Sequence, residues 1–313
     1  MDRQAVRIEI PSFSKINLWL EVLGRREDGY HELRTVFQTL DLHESIDLES
    51  TDAAGIELEV EGLEVPRGPE NLVFRAAELY RERTGWRTGV RLCLHKRLPV
   101  GAGLGAGSGN AAATLAGLNA LAGDLLSRCE LAELAAALGS DVPFFLWGGT
   151  ALGRGRGEII QPLPDFSVEA AILLVWPGFQ VPTAQVYGSL EARPYRAPEK
   201  LTSEDPGTKI REFFSTRDAG RWGALRNDLE APVVRLYPEL GRLKQFLVAS
   251  GCREVLLAGS GSTVFGMGDS AALQRAAEEC RAAGWSQTYL CHSLSSQQYY
   301  RRWAAAGIRL RDR

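Results

Sequence analysis

Leu98-Pro99-Val100-Gly101-Ala102-Gly103-Leu104-Gly105-Ala106-Gly107-Ser108-Gly109-Asn110-Ala111-Ala112-Ala113 is the most informative stretch of this 313-residue chain. Five glycines alternate with small or aliphatic residues from Gly101 to Gly109, and an Ala-rich helical pattern, Ala111 to Leu121, follows at once. A loop so poor in Cβ atoms can turn several backbone N–H groups toward one point. The helix behind it adds unpaired N–H groups and the positive end of its dipole, a combination suited to phosphate. The loop is therefore expected to bind a nucleotide phosphate chain.

The neighbours of the loop sort the possible kinds. Before it, Val90, Leu92 and Leu94 alternate with Arg91, Cys93 and His95, which predicts a half-exposed strand. After it, the patterns predict two helices, Asn110 to Leu121 and Ser127 to Leu138, with Gly139 as the stop. A P-loop is excluded, because no Gly-Lys-Ser/Thr occurs. Gly101-x-Gly103-x-x-Ala106, with Asp124 downstream, matches a relaxed dinucleotide fingerprint. That fingerprint needs a buried parallel strand before it and another after a single helix, and neither is predicted here. A plain packed glycine linker stays open on the loop alone.

Upstream, Ile16, Leu18, Leu20 and Val22 alternate along a strand, with Lys15 on the opposite face beside Asn17. Gly24 to Gly29 is a turn. Tyr30 to Leu42 fits a helix or a strand, and its Thr/Val/Phe content after a hairpin turn favours a strand. Strands near Ile46–Leu48 and Ile56–Val60 are expected to complete an antiparallel run. Asn71 to Glu82 reads as a helix, and Phe144 to Leu152 as buried strand and turn. Pro162-Leu163-Pro164-Asp165 is the candidate boundary, dividing residues 1–163 from 164–313. Beyond it come a strand, Ala170 to Trp176, and a polar loop, Arg193 to Thr208. Helices follow at Lys209–Ser215, Trp222–Leu229 and Tyr237–Ser250. A strand–turn–strand runs through Gly259-Ser260-Gly261-Ser262, then a helix from Ala271 to Ala283, a strand at Gln287–Cys291 and a short last helix. Such mixing of helices with largely antiparallel strands gives an α+β class.

Composition narrows the function. Hydrophobic content of 45%, charged content of 24% and a net charge of −3 fit a soluble protein without general attraction to nucleic acid or anionic membrane. No signal-peptide or membrane-spanning segment is evident, so a cytoplasmic place is expected. Cysteines 93, 129, 252, 280 and 291 contain no C-x-x-C pair and read as reduced thiols. The four histidines, 31, 43, 95 and 292, show neither metal-ligand nor triad spacing.

The loop resembles P-x-x-x-G-L-G-S-S-x-A, the ATP loop of the GHMP small-molecule kinases. Phe13-Ser14-Lys15-Ile16-Asn17-Leu18 is similar to that family's first motif, and Leu257-Ala258-Gly259-Ser260-Gly261-Ser262-Thr263-Val264-Phe265 to its third. Further stretches resemble one branch whose acceptor carries a cytidine diphosphate: Asp28-Gly29-Tyr30-His31-Glu32-Leu33, Thr35-Val36-Phe37-Gln38, Asn71-Leu72-Val73, Gly139-Ser140-Asp141-Val142-Pro143-Phe144 and Asn227-Asp228-Leu229-Glu230. The resemblance covers most of the chain. It implies an N-terminal ribosomal-S5-like domain with a left-handed βαβ unit and a ferredoxin-like C-terminal domain, with the substrate cleft between them.

It also implies site residues. Asp141 is the expected base for the acceptor hydroxyl, although an Asp after Gly139 equally suits a helix N-cap. Lys15 is expected beside Asp141 and the transferring phosphoryl group, against the alternative of a solvated strand lysine. Pro99, Val100, Gly101, Ala102, Gly103, Leu104, Gly105, Ala106, Gly107, Ser108, Gly109 and Asn110 match ATP-binding positions, as do Asn71 and Lys96. Asn17, Tyr30, His31, Phe37, Thr183 and Tyr187 match substrate positions, with Tyr187 where the family more often has Phe. The turn at Gly259–Ser262 either closes over the phosphates or is a simple hairpin. ATP with Mg²⁺ is implied as co-substrate, without named metal ligands and without a tightly bound organic cofactor, in a monomer or weak homodimer. Two departures stand out. Gly109 replaces a usual serine, which is expected to remove a hydroxyl from the phosphate site, and Phe13-Ser14 replaces Pro-Ala.

Overall fold

The computed structural model describes residues 7–165, 171–191, 193–195, 206–215 and 225–312. The first half runs β1 (Arg7–Arg25), β2 (His31–Thr51), β3 (Ile56–Gly62), α1 (Leu72–Thr84), β4 (Gly89–Lys96), α2 (Ala106–Leu121) and α3 (Arg128–Leu138). A 3₁₀ turn at Pro143–Leu146 leads into β5 (Thr150–Gly155) and β6 (Ile159–Pro162). The second half comprises β7 (Ala171–Trp176), α4 (Thr183–Gly188), α5 (Pro206–Ser215), β8 (Arg226–Asn227), α6 (Glu230–Leu236) and α7 (Pro238–Ala249). It ends with β9 (Glu254–Leu257), β10 (Val264–Met267), α8 (Ser270–Ala282), β11 (Gln287–His292) and α9 (Ser296–Ala305).

Two sheets organise these elements. The larger has the order β3-β4-β2-β1-β8, with β5 paired to β2 and β6 to β5. The smaller is antiparallel, in the order β11-β7-β10-β9. Counted in chain order among the strands of this sheet, that is the 4-1-3-2 arrangement of a ferredoxin-like domain. One apolar core lies under the large sheet, between it and α1, α2 and α3. A second joins the two sheets through Ile16, Leu18, Val36 and Leu40 on one side and Ile172, Leu174, Leu256 and Phe265 on the other. A third holds α6, α7 and α8 on the small sheet. Because β1 is covered on both faces, its residues from Ser12 to Leu20 are all buried, polar ones included.

Several expectations need correction. The strands predicted at Tyr30–Leu42 and Ile46–Leu48 are one continuous β2, since nothing between them forces a turn. β3 does not extend the antiparallel run: it pairs parallel to β4, and α1 is the crossover that a parallel pair requires. Helix α2 starts at Ala106, not Asn110, so its first turn lies inside the glycine loop. Gly139 caps α3 in an extended rather than a left-handed conformation (φ 170°). Phe144–Leu152 is a 3₁₀ turn followed by a strand. Of the helix expected at Trp222–Leu229, residues 222–224 lie outside the described residues, and Arg226–Asn227 instead pairs parallel with β1. The polar stretch 193–208 is likewise only partly within the described residues.

Candidate active site

The glycine loop forms one wall of a cleft of about 910 Å³ that lies where the two sheets meet. Its conformation depends on glycine at alternate positions. Gly103 (φ +84°) and Gly105 (φ +67°) occupy the left-handed region, which side chains disfavour. Space is equally restrictive. A Cβ on Gly103 would lie 1.9 Å from the Ala258 carbonyl oxygen, and one on Gly261 would lie 2.2 Å from the Gly103 nitrogen. The loop and the β9–β10 turn therefore interlock backbone to backbone, joined further by Thr263 N–H donating to the Ala102 carbonyl at 3.1 Å. Gly105 is also the N-cap of α2 and supplies no side-chain cap. The first-turn N–H groups of a 16-residue helix thus face the cleft at Ala106, Gly107 and Ser108.

Strand β1 brings the catalytic candidates to that wall. Its pairing with β2 shifts register between Phe13 and Lys15 and again between Asn17 and Trp19, so Lys15 and Asn17 sit between two irregularities that re-aim side chains. Lys15 N–H donates to the Leu104 carbonyl at 2.8 Å, fixing the strand to the loop. Its ammonium, with only 4% of the side chain exposed, lies 3.2 Å from Asp141 Oδ2 and donates to Asn17 Oδ1 at 2.9 Å. The Asn17 amide is held in turn by the Thr35 hydroxyl, which donates to the Trp19 carbonyl. Lys15 is therefore not a solvated strand lysine. Nor does Asp141 cap the helical turn that follows it, because Val142 occupies the cap position with no side-chain cap bond. The Asp141 carboxylate, a third exposed, opens into the cleft.

The opposite end of the cleft is aromatic. Tyr30 is 56% exposed, and the Arg156 guanidinium lies 4.8 Å from its ring centroid. His31 meets Tyr187 at 5.2 Å between ring centroids. Burial, helped by the nearby Arg25, lowers the His31 imidazole from its ordinary value, so at pH 7 it is neutral and offers one donor and one acceptor. Burial raises the Tyr187 phenol, with Asp141 adding to the effect. Thr183 Oγ1 lies 3.0 Å from Ser260 Oγ, which links α4 to the β9–β10 turn. Phe37 forms the floor, stacked on Phe144 at 4.9 Å, with the Lys15 ammonium 5.7 Å from its ring.

Most of the predicted site residues line this one cleft: Lys15, Asn17, Tyr30, His31, Phe37, Lys96, residues 99–108, Asp141, Thr183 and Tyr187. Asn71, Gly109 and Asn110 do not. Asn71 Oδ1 caps α1 by accepting from Val73 N–H, and its Nδ2 donates to the Pro66 carbonyl. The expected loss of a phosphate hydroxyl at Gly109 also needs revision. A Cβ there would point at the Phe13 carbonyl, 2.5 Å away on β1, so a side chain at this position heads into the core rather than the cleft. The two departures from the family pattern, Gly109 and Phe13-Ser14, thus touch each other.

Other residues were not found from sequence. Arg25 and Arg156 line the aromatic end, but lone arginines near a turn carry no signal of their own. Asn227, noted only as part of a resemblance, donates to the carbonyls of Leu257 and Gly259 and so shapes the β9–β10 turn. That turn is a hairpin and a wall of the cleft at once. Away from the cleft, Glu61, Cys93 and His95 come together as a group able to hold a cation, although the histidine spacing gave no hint of one. Period-two alternation on β4 and its register with β3 create the group, with Asp47 on the other imidazole nitrogen.

Comparison with known proteins gives the family. Residues 71–149 match the GHMP kinases N terminal domain, and residues 210–285 the GHMP kinases C terminal domain. A 4-diphosphocytidyl-2-C-methyl-D-erythritol kinase of Moorella thermoacetica is 46% identical over 83% of this chain and 90% of its own length. A crystal structure of 4-(cytidine 5'-diphospho)-2C-methyl-D-erythritol kinase, 39% identical, superposes with a TM-score of 0.76 over 91% of this chain and 99% of that one. Mevalonate kinase of L. major, in complex with R-mevalonate, shares the fold (TM-score 0.71 over 94% of this chain and 98% of that one) at 15% identity. The chain therefore belongs to the GHMP kinase family, among the 4-diphosphocytidyl-2-C-methyl-D-erythritol kinases.

Proposed function

We propose that this enzyme transfers the γ-phosphate of ATP to the 2-hydroxyl of 4-diphosphocytidyl-2-C-methyl-D-erythritol, a cytoplasmic step toward isoprenoid precursors. The observation that carries the mechanism is the Lys15–Asp141 pair at 3.2 Å, set between a backbone phosphate cradle and an aromatic pocket. In this reading residues 101–108 and the first turn of α2 hold the ATP phosphates, while Lys96 and Leu72 border the base. Tyr30 and Tyr187 offer faces for the cytosine, and neutral His31 pairs with its edge. Phosphoryl transfer depends on positioning and charge stabilisation. Asp141 accepts the proton of the acceptor hydroxyl as the oxygen attacks phosphorus. Lys15, 3.2 Å from that carboxylate, holds it in place and offsets charge on the transferring group.

Mg²⁺ bound with ATP would neutralise phosphate charge. Asp141 is the sole carboxylate among the described lining residues, which suits an ion carried mainly by phosphate oxygens and water. Ser108, on the first turn of α2, and Asp141 are the residues that would reach it. The division at residue 163 belongs to the same proposal, with both halves contributing to the cleft. No helix among the described residues is long and apolar enough to cross a membrane.

An ATP-consumption assay tests the assignment. Turnover is expected with the cytidyl diphosphate acceptor and not with mevalonate or homoserine. Asp141→Asn should lower kcat by about 10²-fold or more. Phosphorylation of mevalonate in place of the cytidyl compound would overturn the substrate, and near wild-type turnover by the variant would remove Asp141 from the chemistry.

A further inference from the structure

Glu44, on β2, has no exposed side-chain surface and does not line the cleft, yet its carboxylate accepts from donors at both ends of the glycine loop. Oε1 accepts from the backbone N–H groups of Arg97 (2.8 Å) and Leu98 (2.6 Å), where the chain leaves β4 for the loop. Oε2 accepts from Asn110 Nδ2 at 2.9 Å, on the α2 side of the same loop. Both oxygens accept from Lys96 Nζ at 2.8 Å. The other face of the Asn110 amide is fixed as well, its Oδ1 accepting from Ser12 Oγ at 2.6 Å. Ser12 is the register partner of Glu44 across β1 and β2, so the whole assembly stands on one rung of the sheet.

We infer that Glu44 is a positioning residue for the nucleotide: a single buried carboxylate fastens the entry and exit of the phosphate loop and aims Lys96 into the cleft. The reasoning is electrostatic and geometric. A carboxylate is the one side chain able to accept this many hydrogen bonds without presenting a donor. Every group facing it donates. A carboxamide of the same shape would turn its NH₂ against ammonium or amide N–H groups and release one end of the loop. The loop owes its phosphate site to backbone N–H groups held in place before the ligand arrives, so freeing an end should weaken ATP and leave the acceptor pocket, built on β2 and α4, alone.

The inference rests on the ATP reading, and direct binding separates the two. A non-hydrolysable ATP analogue is titrated into wild type and Glu44→Gln, and CDP is titrated as the probe of the acceptor pocket. The expected result is at least a tenfold rise in Kd for the ATP analogue, with the CDP Kd within twofold of wild type. A merely structural role would lower the thermal midpoint while shifting both ligands together or neither, and either pattern overturns the inference. No binding of the analogue by wild type would instead overturn the ATP reading. Asn110→Ala cuts the α2 tie but keeps the Lys96–Glu44 pair, and so covers the case in which Glu44→Gln does not fold. It should weaken the analogue severalfold and spare CDP. Unchanged affinity for the analogue in this variant would refute the clamp.

Discussion

The two ends of the cleft are made of different material. The end proposed for the ATP phosphates is backbone: alternate glycines, a second glycine turn locked against them, and helix N–H groups, all stiffened from behind by buried side chains. The end proposed for the acceptor is side chain: Tyr30 half in solvent, His31 and Tyr187 ring to ring, Arg156 over Tyr30. Backbone reads a group that every phosphoryl donor shares, and it needs rigidity because N–H groups cannot reach. Side chains distinguish one base from another, and exposed ones can adjust. Substitutions should therefore fail steeply at one end and by degrees at the other.

Gly103→Ala should give the largest loss. The new methyl would meet the Ala258 carbonyl at a positive φ, forcing the two loops apart. A shift of about 1 Å in the cradle is expected to reduce kcat/KM for ATP by roughly 10²-fold or more. Gly107→Ala is the comparison: among protein atoms only the end of Leu72 comes near, at 3.7 Å, so the two loops stay together and the loss should be smaller than for Gly103→Ala. Equal losses in the two variants would mean that crowding against the second loop is not what matters.

Tyr30→Ala should raise KM for the acceptor about tenfold, in line with ~1–3 kcal/mol for base stacking, while KM for ATP stays as it was. A matching rise on the ATP side would dissolve the distinction between the ends.

Acidification should act on the acceptor side through His31. His31 has its folded pKa below the ordinary 6.5, so it stays neutral from pH 8 to 7 and gains a proton only below that value. The unfolded chain binds this proton more readily, so the matching stability is complete above 6.5 and is lost as pH falls. KM for the acceptor is therefore expected to be flat above pH 7 and to climb in the acid range, and His31→Asn should flatten the climb.

Gly109→Ser should have the smallest effect on catalysis. Its side chain would press on the Phe13 carbonyl, lowering stability by about 1–3 kcal/mol in thermal unfolding, with no gain in ATP affinity. Tighter ATP binding by this variant would place the hydroxyl in the cradle after all.

The glycine-loop end of the cleft was also the more legible one. Glycine spacing and the following helix are local signals, and the face shared by Lys15 and Asn17 follows from strand alternation. What escaped depends on partners distant in the chain. The parallel pairing of β3 with β4 is set by how α1 packs. The two-residue strand Arg226–Asn227 exists because β1 is there to pair with it. Glu44 looks like any charged residue near a strand until Lys96, Arg97, Leu98 and Asn110 surround it. Arg156 reaches Tyr30 only through the register of β5 on β2. For Gly109 the motif singled out a position in the loop, but not the direction in which a side chain there would point.

The last helix has a consequence for how the protein is made. Tyr299 and Trp303 of α9 fill the core beneath the first sheet, Tyr299 packs on Phe13 at 5.0 Å between ring centroids, and Trp303 Nε1–H donates to the Pro11 carbonyl. Gly148 leaves room for the Tyr299 ring, and the Tyr299 hydroxyl donates to the Phe145 carbonyl. During synthesis β1, which bears Lys15, emerges long before α9, which seals the core beneath it. A nascent chain thus carries the strand that bears Lys15 over an open core until α9 has left the ribosome.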